Sequence, residues 1–217
     1  MISETVSNLG KWRIERLEEA GINEFYFFTY LDNLPQILHF GLLPKNEAIK
    51  MENAPRSFAN EEVQKLRHDR IVELSNYQKI SVHNLVPVYL TPLTPTLYAV
   101  RDISMEIVFV VVDAKILGND SIQFCFTDGN AGASETKIYR NLRHHKHIPW
   151  EVIRAKYWND IPDGKRQRNA EFLIHPKIDP KWFLSLVVKN EQVKIKVEST
   201  LPVQTMVPIC IEPSFFF

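Results

Sequence analysis

Six consecutive apolar residues, Ile107-Val-Phe-Val-Val-Val112, form the longest aliphatic run in the chain and restrict its fold more than any other stretch. The run is far too short to span a bilayer, which needs about 20 apolar residues. It does not alternate, so Ile107–Asp113 reads as a central strand buried on both faces. Shorter strands accompany it. Phe25-Tyr-Phe-Phe-Thr-Tyr30 is aromatic and β-prone. Leu85-Val-Pro-Val-Tyr-Leu90 carries an internal proline and reads as edge-like or bulged. Gln123-Phe-Cys-Phe-Thr127, Glu171–His175, Leu184–Lys189 and Val207–Ile211 complete the set.

Helical patterns lie unevenly between these strands. Leu9, Trp12, Ile14, Leu17, Ala20 and Ile22 mark a short amphipathic helix ending at Gly21. Asp32 or Asn33 can cap a helix through Pro35, Ile37, Leu38 and Phe40 that stops at Gly41. Backbone donors at the start of that helix can bind a phosphate or an amide oxygen. Phe58, Glu61, Glu62, Val63, Leu66, Arg67 and Arg70 follow a third helical pattern, with acids early and cations late, as the helix dipole favours. Pro149 opens a fourth through Trp158. Unevenly spaced helices and short strands predict an α+β fold, not a doubly wound sheet. The length suits one domain over 1–217 with a real core.

Charge and motifs exclude several functions. Formal net charge is +0, so any attraction for a polyanion must be local. The N-terminus lacks the basic-then-apolar layout of a signal peptide, and Cys125 and Cys210 form no CxxC pair. Both read as reduced, partly buried thiols of a cytoplasmic protein. Without GxxxxGK[ST], GxGxxG or GxSxG, kinase, Rossmann and serine-hydrolase readings have no support. The local charge lies between Thr136 and His147, where Lys137, Arg140, Arg143, Lys146 and three histidines occur with no acid. This reads as a basic helix face, either gripping phosphates or simply solvated. His144, His145 and His147 fit no zinc template, and no metal is expected.

Lys165-Arg-Gln-Arg-Asn-Ala-Glu171-Phe-Leu-Ile174 runs from a cation cluster into one carboxylate and then an apolar strand. Catalytic carboxylates are often mounted this way, but so are structural glutamates at strand edges, and spacing alone leaves both readings open. Arg67, beside Leu66, equally reads as a surface cation near Glu61 or Glu62.

Taken together and in order, five segments resemble the DarT family of DNA ADP-ribosyltransferase toxins. Phe25-Tyr-Phe-Phe-Thr-Tyr-Leu-Asp-Asn-Leu-Pro-Gln-Ile-Leu38 is similar to the family's opening strand and its Asp-Asn-Leu-x-x-Ile-Leu helix. Val63-Gln-Lys-Leu-Arg67 resembles the helix carrying an essential arginine. Leu85-Val-Pro-Val-Tyr-Leu-Thr-Pro-Leu-Thr-Pro-Thr-Leu-Tyr98, Phe126-Thr-Asp128 with its glycine-bearing loop, and Tyr157-Trp-Asn-Asp160 followed by Asn169-Ala-Glu-Phe-Leu173 match the remaining segments. The likeness runs from about residue 25 to 190.

The resemblance implies an ADP-ribosyltransferase fold of two small packed β-sheets with flanking helices and an NAD cleft. It implies Glu171 and Arg67 as catalytic residues. Phe27, Thr29, Asn33, Leu34, Arg67 and Tyr89 would hold NAD as co-substrate, with no metal. Glu135, Lys137, Arg140, Arg166 and Arg168 would meet single-stranded DNA, since an attacking base atom must be free of the stack. A partner antitoxin with ADP-ribosyl hydrolase activity, a macrodomain or a relative, is also implied. Three positions depart from the thymidine-modifying pattern: Phe27 replaces a histidine, Leu93-Thr-Pro-Thr96 replaces Arg-Ser-Pro-Met, and Glu135 aligns with a loop histidine. These changes place the chain nearer the family's guanine-modifying branch, with Glu135 accepting from a guanine N–H. The competing expectations are transfer to thymine, RNA or protein, and an inactive NAD- or nucleic-acid-binding module.

Overall fold

The aliphatic run forms the spine of the molecule. In the computed structural model, which describes residues 6–58, 61–201 and 206–217, Ile107 to Val112 are all buried. In chain order the elements are α1 (Asn8–Ala20), β1 (Glu24–Tyr30), α2 (Leu34–Phe40), α3 (Lys45–Ala48), α4 (Glu61–His68), β2 (Ile71–Glu73), β3 (Lys79–Ser81), β4 (Val86–Tyr89) and α5 (Pro95–Tyr98). There follow β5 (Ile107–Asp113), β6 (Gln123–Thr127), β7 (Ile138–Tyr139), α6 (Trp150–Arg154), α7 (Gly164–Gln167), β8 (Glu171–His175), β9 (Phe183–Val188), α8 (Glu191–Thr200) and β10 (Ile209–Ile211). The expected reading of Met1–Thr5 and of the side chains at Glu61, Glu62 and Val63 lies outside the described residues.

Among the described residues, eight strands form one mixed sheet in the order β10-β9-β5-β1-β4-β8-β6-β7, and β2-β3 is a separate hairpin. The large sheet is nearly divided. Strands β1 and β4 pair only at Tyr26↔Tyr89, whereas β1 pairs with β5 along its whole length. In place of the expected two small packed sheets there is one main sheet, whose halves β10-β9-β5-β1 and β4-β8-β6-β7 are joined at one residue pair, and the small β2-β3 sheet. Pro87 is not on an edge strand, as its sequence suggests, since β4 lies between β1 and β8. It is tolerated because β1 no longer pairs with β4 at Pro87, so the missing N–H costs no bond on that side.

One face of the sheet carries the main core. Phe172 sits there with the rings of Phe25, Phe126 and Phe124 at 4.8, 5.1 and 6.1 Å between centroids. Truncating such a fully buried ring costs about 3–5 kcal/mol. The other face carries two separate clusters. Phe28, Leu97 and Phe109 belong to the one on the β5 half. Val72, Leu74 and Leu173 belong to the one under the β2-β3 hairpin. The interval between these clusters holds the site.

Two local expectations change, and one helix is new. The basic segment is not a helix but strand β7 followed by a 3₁₀ turn over Leu142–His147, capped where Asn141 accepts from the Arg143 amide. Helix α6 ends at Arg154, four residues early, because Arg168 takes the carbonyls of Val152, Ile153 and Ala155. Helix α8 has no counterpart in the sequence reading. Helix α1 agrees, with Ser7 capping its start and Gly21 closing it at φ 69°. No helix among the described residues is long and apolar enough to cross a membrane.

Candidate active site

Strand β8 opens at Glu171, opposite Tyr89 on β4, which in turn faces Tyr26 on β1. Directly paired residues share a sheet face, so the row Tyr26–Tyr89–Glu171 crosses the junction between the half-sheets. Glu171 is only 1% exposed. A buried carboxylate needs partners on both oxygens, and α4 supplies them through Arg67. Its Nη1 lies 2.9 Å from Oε1 and its Nη2 3.0 Å from Oε2, a two-pronged ion pair. The Ala131 amide donates a third bond to Oε1 at 2.9 Å. Burial pulls the Arg67 pKa down, but the Glu171 carboxylate pushes it up by more, so its guanidinium stays charged. The Glu171 main-chain N–H donates to Thr127 Oγ1 at 3.1 Å, and that hydroxyl donates to Gly129 O at 2.6 Å.

The loop from Asp128 to Thr136, which looks unconstrained in the sequence, is tied on three sides. Arg70 donates to the carbonyls of Ala131, Ala133 and Thr136. Arg166 reaches Asp128 Oδ1 at 2.8 Å and Thr136 Oγ1 at 3.0 Å, and the Asn130 amide returns a bond to Arg166 O. Ala131 is held on Glu171. Arg70 and Thr127 are the site residues that sequence reasoning missed. Arg70 follows Arg67 by three residues in the same helical pattern, and only the tertiary structure shows that its target is a loop 61 residues on.

The expected cofactor residues divide. Thr29 and Asn33 meet at the end of β1, where Asn33 Nδ2 donates to Thr29 Oγ1 at 2.8 Å. Asn33 does not cap α2. Its amide instead brackets Arg56, donating to Arg56 O at 2.9 Å and accepting from Arg56 N at 3.0 Å. Leu34 is fully buried and anchors the start of α2. Phe27 stands apart: its ring packs into the main core, on the face opposite Glu171. From Phe27 to Tyr30, β1 has no partner on its β4 side among the described residues.

Tyr89 lies in the row between Tyr26 and Glu171. Burial, then the Glu171 charge, pushes its phenol up to about 12, so it stays protonated. It begins a wall of rings: Phe28 stacks on Tyr89 at 6.0 Å, Phe58 lies tilted against Phe28 at 5.5 Å, and Tyr30 stacks on Phe58 at 4.0 Å. Arg56 closes the wall 3.8 Å over Tyr30, with ion pairs to Asp32 and Glu106.

The expected DNA residues divide too. Glu135, within the loop, and Lys137 and Arg140, just after it, are exposed, with Arg140 4.4 Å over Tyr77 and 3.4 Å from Glu73. Arg168 is not available to a phosphate. It is 4% exposed, and its guanidinium is spent on the carbonyls of Leu93, Val152, Ile153 and Ala155. Arg166 is likewise engaged, with Asp163 at 2.6 Å and Asp128 at 2.8 Å. Both are struts of the site, because unsatisfied acceptors nearby claim their donors first. Among the described residues, no group of three or more His, Cys, Asp and Glu side chains could hold a metal. Burial and the Glu171 charge push the Cys125 thiol up to about 12, whereas Cys210 is exposed.

The fold has known counterparts. The structure of Thermus sp. 2.9 DarT in complex with ADP-ribosylated ssDNA superposes with a TM-score of 0.77 at 26% identity, covering 90% of this chain and 96% of that one. The same protein in complex with NAD+ gives 0.73 at 25% identity, covering 90% and 98%. A DNA ADP-ribosyl transferase–DNA ADP-ribosyl glycohydrolase fusion protein of Thermosipho africanus is 29% identical over 200 residues, 89% of this chain and 49% of the fusion. Residues 26–217 match the family described as "ssDNA thymidine ADP-ribosyltransferase, DarT", and the chain belongs to that family of DNA ADP-ribosyltransferases.

Proposed function

We propose that this protein transfers ADP-ribose from NAD to a guanine base of single-stranded DNA and releases nicotinamide. It acts through a single domain, in the cytoplasm, as the toxin of a toxin–antitoxin or phage-defence system. The observation that carries the reading is the buried Arg67–Glu171 pair at the junction of the half-sheets, with the Ala131 amide on the same carboxylate. Breaking the nicotinamide–ribose bond leaves positive charge on the sugar, and nicotinamide departs with the bonding electron pair. Glu171 stabilises that charge and orients a ribose hydroxyl. It also takes the proton that the attacking base nitrogen loses. Arg67, with its rigid donor fork, holds an NAD phosphate once Glu171 turns to the sugar.

The NAD side of the cleft comprises Thr29, Asn33, Leu34 and Tyr89, with Phe27 contributing its backbone. The unpaired β4-facing edge of β1 supports this, since its amide groups suit a carboxamide such as that of nicotinamide. The Thermus sp. DarT complexes with NAD+ and with ADP-ribosylated ssDNA support the same co-substrate and acceptor. Glu135, Lys137 and Arg140 lie exposed where the DNA would arrive. The glycohydrolase half of the Thermosipho africanus fusion supports an antitoxin that removes the mark. Guanine is preferred because Glu135, an acceptor, stands where the thymidine-modifying pattern has histidine.

The test is incubation with labelled NAD and four single-stranded oligonucleotides, each dominated by one base, with Glu171→Ala as control. Label on the guanine strand alone, absent from the control, is the expected result. Label on thymine keeps the transferase and overturns the base assignment. Label only on RNA or protein overturns the acceptor, and no turnover of NAD favours a binding module.

A further inference from the structure

A column of stacked rings leaves the core at the outer edge of the sheet. It begins at Phe172 and continues through Phe126, 5.1 Å away between centroids, to Tyr139 at 5.4 Å. His147 lies 4.9 Å from Tyr139 with its plane only 4° off parallel, and His144 follows at 5.9 Å. Phe172, Phe126 and Tyr139 are direct partners across β8, β6 and β7, so their rings share one sheet face. The two phenylalanines are fully buried, Tyr139 is half-buried, and both histidines are exposed. The outer rings are therefore braced by the core and present themselves to solvent.

The turn over Leu142–His147 sorts its side chains into rows, because a 3₁₀ turn repeats every three residues. Leu142, His145 and Ile148 form the buried row. Arg143 and Lys146 form a second row and His144 and His147 a third, all four exposed. Cations thus stand directly beside the two outer rings. Thr136 to His147 contains no acid. Three carboxylates that approach the segment, Asp128, Glu73 and Glu19, are already paired with Arg166, Arg140 and Arg16.

Rings interleaved with cations suit single-stranded nucleic acid. Every base has a face that can stack, and the phosphates between bases meet the cations, whatever the sequence. A duplex fits poorly, since its bases are already stacked on one another.

We propose that the exposed end of this column is a stacking platform for nucleotides that flank the modified base. His147 and His144 take base faces, and Arg143 and Lys146 take the phosphates between them. The inference rests on the reading of single-stranded DNA as acceptor, and adds a second contact outside the transfer site. Neighbouring residues of a strand point to opposite faces, so Glu171 lies across the sheet from the ring of Phe172. A bound strand must then pass around the β7 edge to touch both places. Arg140, stacked over Tyr77 of the β2-β3 hairpin, stands at that edge. A short oligonucleotide at the transfer site does not reach the platform, whereas a longer one does.

That difference in reach is the test. Fluorescent single strands of about 4 and about 16 nucleotides, the range of single-strand site sizes, are titrated into the parent protein, His147→Ala, His147→Tyr and the double variant Arg143→Ala/Lys146→Ala. NAD is titrated in parallel. All three positions are exposed, so folding is not at stake. Losing one stacking ring weakens binding by roughly tenfold. His147→Ala should weaken the long strand by that amount and leave the short strand and NAD within twofold, and His147→Tyr should restore the long strand. The double variant should lower the salt slope of long-strand binding by about 1.4, at about 0.7 per phosphate. Equal weakening of both lengths, no change in either, a parallel loss of NAD, or a duplex held as tightly as the single strand overturns the platform. Long-strand binding that depends on His147, in a protein that labels no DNA, supports the platform and overturns the acceptor reading. DNA labelled by a protein whose long-strand binding ignores His147 does the reverse.

Discussion

Replacing Glu171 by Gln removes the counter-charge of a guanidinium that is itself only 8% exposed. A buried ion pair broken from one side costs about 3–5 kcal/mol, because the remaining charge has neither water nor a partner. The amide keeps one oxygen, which can still accept from Arg67 or the Ala131 N–H, so the lower half of that range is expected. At roughly 2–4 °C per kcal/mol for a chain of this size, Tm should fall by about 6–15 °C. Arg67→Met should cost a similar amount, since it strands the carboxylate. The discriminating comparison sets the double variant Arg67→Met/Glu171→Leu against its own singles, Arg67→Met and Glu171→Leu. Apolar replacement of both partners is often neutral or better, offset here by the loss of an acceptor for the Ala131 amide, about 1–3 kcal/mol. The double variant should therefore lie within about 3 kcal/mol of the parent and be more stable than the sum of the singles implies. Thermal and urea unfolding of the parent and these variants reads this out directly. A Glu171→Gln shift below 2 °C, or strict additivity of the singles, would refute the buried-pair argument, whatever the variants do to NAD.

His83 makes stability depend on acid. Burial first, then Lys45, Arg67 and His68, lowers its pKa to about 4. The unfolded chain, near 6.5, therefore binds more protons between those values. The contribution is complete above pH 6.5 and is lost as pH falls through the window, on the order of 3 kcal/mol in all. Urea midpoints from pH 7.5 to 4.5 should fall accordingly, and more shallowly in His83→Gln; parallel curves would contradict the assignment. Gly129→Ala puts a Cβ against Arg166 Nη1, which must withdraw from Asp128; a loss of about 1–3 kcal/mol is expected in unfolding experiments. Arg168→Met should lower Tm yet leave the salt slope of oligonucleotide binding unchanged, since its donors serve carbonyls. Lys137→Ala should do the reverse, reducing the slope by about 0.7.

Much of the fold is legible where one physical cause dominates. The aliphatic β5, the aromatic β1 and the Ser7-to-Gly21 span of α1 are set by burial, β-propensity and capping, all local in sequence. The misread elements are those whose local signals are overruled from a distance. Pro87 advertises an edge strand, but the near-division of the sheet lets it sit inside. Trp150 to Trp158 has a helical pattern, yet Arg168 caps it at the first turn from 13–16 residues away. Asn33 has the chemistry of a helix cap and spends it on Arg56.

The arginines around the site show why charge is the least readable signal. In the sequence, Arg67, Arg70, Arg166 and Arg168 are alike, cations in polar segments. In the structure, each is defined by the acceptors it meets. Arg67 meets a carboxylate, Arg70 a set of loop carbonyls, Arg166 two aspartates, and Arg168 a helix end. A guanidinium carries five donors in a fixed fork, so it binds whatever array of oxygens the fold first presents, and only unclaimed donors remain for a substrate. Arg67 differs from the rest in that its partner is a carboxylate buried at the junction of the half-sheets, whereas Arg166 holds two more exposed aspartates and Arg70 and Arg168 hold main-chain carbonyls. That difference makes one of the four a candidate for catalysis and the other three its scaffold.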